Sequence, residues 1–228
     1  EKETLTFEYT GDTVVGIPST PNLAAQATEE ADGSAGDLSL ADARFDLTPT
    51  LGSTPASYVT GVSGAGVASA PATGLGVDLW TVGISVPASN QFWTGANPAA
   101  AELALSDGAR QLKGNGKGTD SASMDVTAKF LNVRFGDGAW SQETRLEPAL
   151  NQFQGATYDW VVVLGSKAIA QVHGTAGALP AVLRIQLEDL GSPGHSGDTF
   201  RGVIRDGVGT VMYDSGLVMV TNGNLRVE

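Results

Sequence analysis

The sequence predicts an all-β chain built as two tandem β-sandwich-like domains. Three observations carry that expectation. Apolar and polar residues alternate over short segments spaced roughly 8–12 residues apart, the rhythm of a sandwich or barrel rather than of a βαβ sheet. Thirty glycines and ten prolines punctuate the chain and leave few stretches for long helices. A composition break over 106–118, where Gly, Asn, Lys and Asp replace the apolar alternation, divides the 228 residues into two lengths that each suit one domain. The expected domains are 1–110 and 111–228, with 106–118 as linker or exposed loop.

In the first half, Leu5, Phe7 and Tyr9 alternate with Thr4, Thr6 and Glu8, a half-buried strand that Gly11-Asp12 breaks. Leu23, Ala25 and Ala27 mark a second strand, ended by the polar loop from Glu29 to Asp37. Leu38, Leu40, Phe45 and Leu47 form a third region, in which 38–43 also suits a short helical turn. Residues 49–76 are small and proline-containing, which suits loops or short edge strands because they bury little area per ordered residue. Residues 77–84 read as a strand partly covered on both faces, and Ala101 to Leu105 closes the domain. In the second half, Met124, Val126, Ala128 and Phe130 alternate, and Gly136-Asp137-Gly138 signals a turn. The stretch from Glu143 to Gln154 is ambiguous, whereas Tyr158 to Leu164 is a continuous apolar run bounded by glycines, the pattern of a buried strand. Strands are also expected around Ile169–His173, Val182–Leu187, Phe200–Ile204, Val208–Tyr213 and Leu225–Val227, with turns at Gly165-Ser166, Asp206-Gly207 and Asn222-Gly223.

Two segments resemble known families. Residues 181–228 resemble the end of a β-rich module that follows catalytic or anchor-type domains in secreted bacterial proteins. The matching text is Leu183-Arg184-Ile185-Gln186-Leu187-Glu188-Asp189-Leu190-Gly191-Ser192-Pro193-Gly194, then Asp198-Thr199-Phe200-Arg201, then Val211-Met212-Tyr213-Asp214-Ser215-Gly216. That resemblance implies an extracellular accessory module and carries over no catalytic residue. Residues 1–48 resemble bacterial Ig-like surface repeats through Leu5-Thr6-Phe7-Glu8-Tyr9-Thr10-Gly11-Asp12, the alternation from Leu23 to Thr28, and the Asp32-Gly33-Ser34 loop. The implied first domain is an Ig-like β-sandwich.

Composition narrows the function. The formal net charge is −12, which repels phosphate backbones and anionic headgroups and leaves cations, neutral glycans and other proteins as partners. With no cysteine, disulfides, thiolate chemistry and cysteine-based zinc sites are excluded. No apolar run is long enough to span a membrane as a helix. The start, Glu1-Lys2-Glu3, is not a signal peptide, so the chain reads as a mature product or excised fragment that was exported, to be found secreted or at the cell surface.

Carboxylates are the leading ligand candidates. Glu188, Asp189 and Asp198, with Asp214 if the strands align, form one group; Asp32 and Asp37, beside Glu29 and Glu30, form another. Ca²⁺ takes six to eight hard oxygens and Gly-rich loops present them, though neither loop follows the EF-hand pattern, and solvated acidic turns explain the same residues. His173 reads as a structural histidine in a strand. Gly194-His195-Ser196-Gly197-Asp198 places Ser, His and Asp in one turn, but local adjacency is not triad geometry. Gly61–Ala65 misses the nucleophile-elbow pattern, and Gly114–Gly118 lacks phosphate-loop spacing. Trp80, Trp93, Trp140 and Trp160 would stack on sugars if exposed, and would otherwise fill cores. The expectation is therefore a non-enzymatic, extracellular structural, assembly or adhesion module of a bacterial surface or secreted protein, with a carbohydrate-binding accessory module as the alternative. Its partners would be another protein or its own copies, joined by β-edge pairing. The first strand, with Leu5, Phe7 and Tyr9, is expected to pair within its own domain or, as the candidate for exchange, to add to the sheet of another subunit.

Overall fold

The computed structural model describes residues 2–31, 35–108, 111–134, 144–148, 152–191 and 197–227. Strands dominate them, and the one helical element among the described residues is a single 3₁₀ turn, Leu38–Leu40. No helix among them is long and apolar enough to cross a membrane. The chain divides into two compact units, Glu1–Leu105 and Ser106–Glu228. The fold is all-β and sandwich-like, as the sequence predicts.

The first unit contains β1 (Glu3–Tyr9), β2 (Val14–Gly16), β3 (Asn22–Glu29), β4 (Asp42–Pro49), β5 (Ala56–Gly61), β6 (Val67–Pro71), β7 (Asp78–Ser85), β8 (Trp93–Ala96) and β9 (Ala101–Ser106). One arm runs β5-β4-β7-β9-β2 and the other β6-β3-β1-β8; they join where Ser85 of β7 meets Ala96 of β8. Alternation places one side of every strand on a shared core: Leu5 and Phe7 from β1, Leu23, Ala25 and Ala27 from β3, Phe45 and Leu47 from β4, Trp80, Val82 and Ile84 from β7. Large residues face small ones, Phe7 opposite Ala27 and Tyr9 opposite Ala25. Each fully buried side chain of this size stabilises the fold by roughly 1.5–3 kcal/mol. β1 and β8 run parallel, and at Gly95 a Cβ would stand 2.0 Å from the Leu5 carbonyl oxygen, so only glycine permits the pairing.

The second unit is an antiparallel meander of β10 (Gln111–Thr119), β11 (Asp125–Arg134), β12 (Thr144–Pro148), β13 (Phe153–Leu164), β14 (Lys167–Ala176), β15 (Leu179–Glu188) and β16 (Thr199–Asp206), each paired to the next. The final segment then closes the sheet. Its early part, β17 (Val211–Asp214) and β18 (Val218–Met219), pairs with β16, whereas its last part, β19 (Asn222–Val227), pairs with β10. Backbone bonds mark the crossing: Val220 N–H donates to Asp198 O at 2.9 Å and Thr221 N–H to Lys117 O at 2.8 Å. The rolled sheet encloses one core drawn from every strand, with Phe130, Phe153 and Phe200 as its largest fully buried members.

Three local expectations change. The segment expected as linker becomes a paired strand from Gln111 onward. Its glycines permit contact rather than flexibility: at Gly114, with φ +106, a Cβ would lie 2.0 Å from Asn224 O. Residues 49–76, expected as loops or short edge strands, do supply two short edge strands, β5 beside β4 and β6 beside β3. Asn222-Gly223 belongs to β19 rather than to a turn. Val208 sits in the β16–β17 turn, where Asp206 accepts the N–H groups of Val208 and Thr210, so the strand starts only at Val211. The turn at Gly136–Gly138 lies outside the described residues.

Candidate functional site

The carboxylates singled out as ligands are placed apart, and most are bound into turns. Among the described residues no three His, Cys, Asp or Glu side chains come close enough to hold a metal ion. Asp37 caps the 3₁₀ turn, accepting from the Ser39 N–H at 3.0 Å and the Ser39 hydroxyl at 2.6 Å, bonds that hold its carboxyl below the usual range. Asp189 ties the end of β15 to the C-terminal strand, accepting from Gly191 N–H at 3.2 Å and from Val227 N–H at 3.1 Å. Asp214 is gripped by Arg201 through two bonds, 2.6 and 3.1 Å, and also accepts from Gly216 N–H; the guanidinium bond lowers its pKa. Asp198 is fully buried; one oxygen accepts from Leu190 N–H at 3.1 Å and the other has no hydrogen-bond partner among the described residues. Glu188 stands in the ladder between Lys167 and Thr199. Asp32, Trp140 and His195 lie outside the described residues.

β1 is not an edge. It is paired on one side with β3 and on the other with β8, and Leu5 and Phe7 are buried in their own unit's core. Tyr9 is half-buried and donates its hydroxyl to Asp12 O at 2.7 Å; burial first and the Asp12 charge second raise its pKa. Of the two pairings expected for this strand, within its own domain or with another subunit, the structure holds the first, with the ladder groups of β1 engaged in its own unit. Trp80, Trp93 and Trp160 are all buried, so none of these three offers a stacking face.

The outer face of the second unit holds a polar cluster that sequence reading did not find. β13 bulges between Tyr158 and Trp160. A bulge inserts one extra residue, so Asp159 joins the outer face beside Gln171 and His173 of β14. One Asp159 oxygen accepts from Gln171 Nε2 at 2.7 Å and lies 3.0 Å from His173 Nε2. In the row of Gln171 itself, which stands between Trp160 and Arg184, Arg184 lies 5.2 Å over the Trp160 ring, a cation–π contact. A groove of about 360 Å³ opens beside His173, lined by Pro180, Val182, Arg205 and the turn at Gly207 and Gly209. Arg205 donates to Gly209 O at 2.9 Å. The arrangement orients an imidazole. The one signal in the sequence was the alternation of Gln171 and His173 on an exposed face; the register that brings in Asp159 depends on the bulge.

The chain matches no protein-family model, and no curated protein matches it significantly.

Proposed function

We propose that this chain is a non-enzymatic, extracellular structural module of a bacterial surface or secreted protein, serving assembly or adhesion, with an Ig-like first domain and an accessory β-module as its second. The observation that carries this reading is how the candidate functional groups are used. Asp37, Asp189, Asp198 and Asp214 accept hydrogen bonds within the fold, and the three described tryptophans fill interior space. What such a chain offers to partners is the shape and chemistry of its sheet surfaces. For the alternative, glycan binding, the three described tryptophans offer no exposed stacking platform.

The test is made on intact cells of the source organism. Antibody labelling should reach the chain from outside, and cross-linking should join it to protein neighbours. Confinement to the cytoplasmic fraction would overturn the reading. So would substrate turnover that disappears in a His173→Ala variant.

A further inference from the structure

Asp159 uses its carboxylate differently from the aspartates that lock turns. Asp189 and Asp206 accept from backbone N–H groups, which can only donate. Both partners of Asp159 are side chains, Gln171 at 2.7 Å and His173 at 3.0 Å, and both meet the same oxygen, Oδ2. An imidazole nitrogen that gives up its proton is a metal ligand, and so is an amide turned to present Oε1 in place of Nε2. Three groups that can each bind a metal therefore converge on one point.

The fold holds them there. Gln171 and His173 stand two apart on β14 and so share its outer face. Across the ladder Tyr158 is opposite Val172 and Trp160 is opposite Gln171, which leaves Asp159 as the extra residue of the bulge. Bulges re-aim side chains, and this one brings a carboxylate to an imidazole and an amide.

We propose that Asp159, Gln171 and His173 form a surface site for one divalent transition-metal ion, with Cu²⁺ held tightest. An ion about 2.1 Å from each of two atoms 3.0 Å apart sees them at roughly 90°, the angle between neighbouring ligands in a tetragonal site. The His173 side chain is 54% exposed, so a small rotation of the ring brings its nitrogen onto the ion. No three His, Cys, Asp or Glu side chains gather among the described residues; here the third ligand is an amide. The imidazole selects copper, nickel or zinc over calcium or magnesium, which prefer oxygen alone. The groove beside His173 leaves the remaining positions open to water. The cation in the row of Gln171, Arg184, is drawn over the Trp160 ring, and the net charge of −12 attracts cations to the surface. The site does not depend on the assembly reading above.

Calorimetric titration of the full chain with Cu²⁺ and with Zn²⁺ tests it. One ion per chain should bind, Cu²⁺ more tightly than Zn²⁺, and an excess of either should raise the unfolding temperature by mass action. The Cu²⁺ complex should give a tetragonal electron paramagnetic resonance spectrum coupled to one imidazole nitrogen. His173→Ala and Asp159→Ala should each weaken binding by about a hundredfold and Gln171→Ala by about tenfold, the span that disturbing the surroundings of a metal ordinarily covers. His173→Gln, which can still bond Asp159, should lose the nitrogen coupling while melting in chelator like the parent chain. His195→Ala removes the chain's other histidine and should change nothing. Binding no tighter than millimolar overturns the inference, as does binding that survives His173→Ala. A nitrogen signal that disappears with His195 instead, or Cu²⁺ that is displaced by an equal concentration of Ca²⁺, overturns it as well.

Discussion

Removing the Asp78 carboxylate should cost the first unit much of its stability. Oδ1 accepts from Thr50 N–H at 2.9 Å and Leu51 N–H at 2.7 Å; Oδ2 accepts from Gly52 N–H at 3.1 Å and Ser53 N–H at 3.0 Å. The residue thus fixes the whole turn between β4 and β5 from the first position of β7. A hydrogen bond to a charged group is worth roughly 1.5–3 kcal/mol net, and a buried donor left unmade costs roughly 1–3 kcal/mol. The four bonds are not additive, and water can reach the partly buried donors once the turn loosens. The expected loss for Asp78→Ala is therefore about 3–4 kcal/mol, within the range for breaking a buried polar network. Asp78→Asn is the sharper test. It keeps one acceptor oxygen, but its NH₂ group must face two N–H donors, so its cost should approach that of alanine. Hydrogen exchange read by mass spectrometry isolates the effect, because opening of β4, β5 and β7 should rise by about two orders of magnitude while β13 to β15 keep their protection. An asparagine variant within about 0.5 kcal/mol of the parent chain, the scatter of an ordinary surface substitution, would refute the four-donor account.

Three further outcomes follow from the second unit and from the aspartates. Gly114→Ala should open the β10–β19 pairing, since the new Cβ meets Asn224 O at 2.0 Å; the expected loss is about 3 kcal/mol or more, seen as lost exchange protection in 111–119 and 222–227. Tyr213→Phe removes the hydroxyl that donates to Asp120 at 2.9 Å and should cost about 1 kcal/mol, read as a shifted urea midpoint. Asp120 and Asp214 have folded-state pKa values below the ordinary 3.8, held down chiefly by the Met124 N–H and by Arg201 respectively. Their contribution is therefore present above that ordinary value and is lost as pH falls through the lowered folded values. Acid melting curves should show a decline starting near pH 4 that flattens in an Asp214→Asn variant.

Much of the fold was legible because burial in a sheet imposes a period of two. Leu23, Ala25 and Ala27, or Val126, Ala128 and Phe130, can face inward together only as strands, and all are buried. The uninterrupted run at 161–163 is equally explicable: Val161 and Val163 enter the core while Val162 is buried on the opposite face. Glycine was harder to read. In Gly114-Asn115-Gly116-Lys117-Gly118 the same residues that mark a flexible linker are required where strands approach closely: a Cβ at Gly118 would lie 2.2 Å from Met219 O. The residue that makes such a position rigid lies about a hundred positions away, so nothing local in the sequence distinguishes the two cases.

The acidic turns pose the same difficulty in chemical form. An aspartate in a Gly- and Ser-rich loop can hold a cation, or it can hold a cluster of backbone N–H groups, and both uses place the same residue in the same tight turn. What separates them is convergence: a cation site brings several carboxylates to one point, whereas a turn lock brings several N–H donors to one carboxylate. The structure shows the second pattern repeatedly. Asp78 gathers four donors, Asp120 accepts from Ala122 and Met124, and Asp206 accepts from Val208 and Thr210. Carboxylate serves this purpose better than the asparagine amide because both oxygens accept and neither donates. Part of the excess of acid over base is thus a consequence of building two glycine-rich β units whose tight turns are locked from within by aspartate.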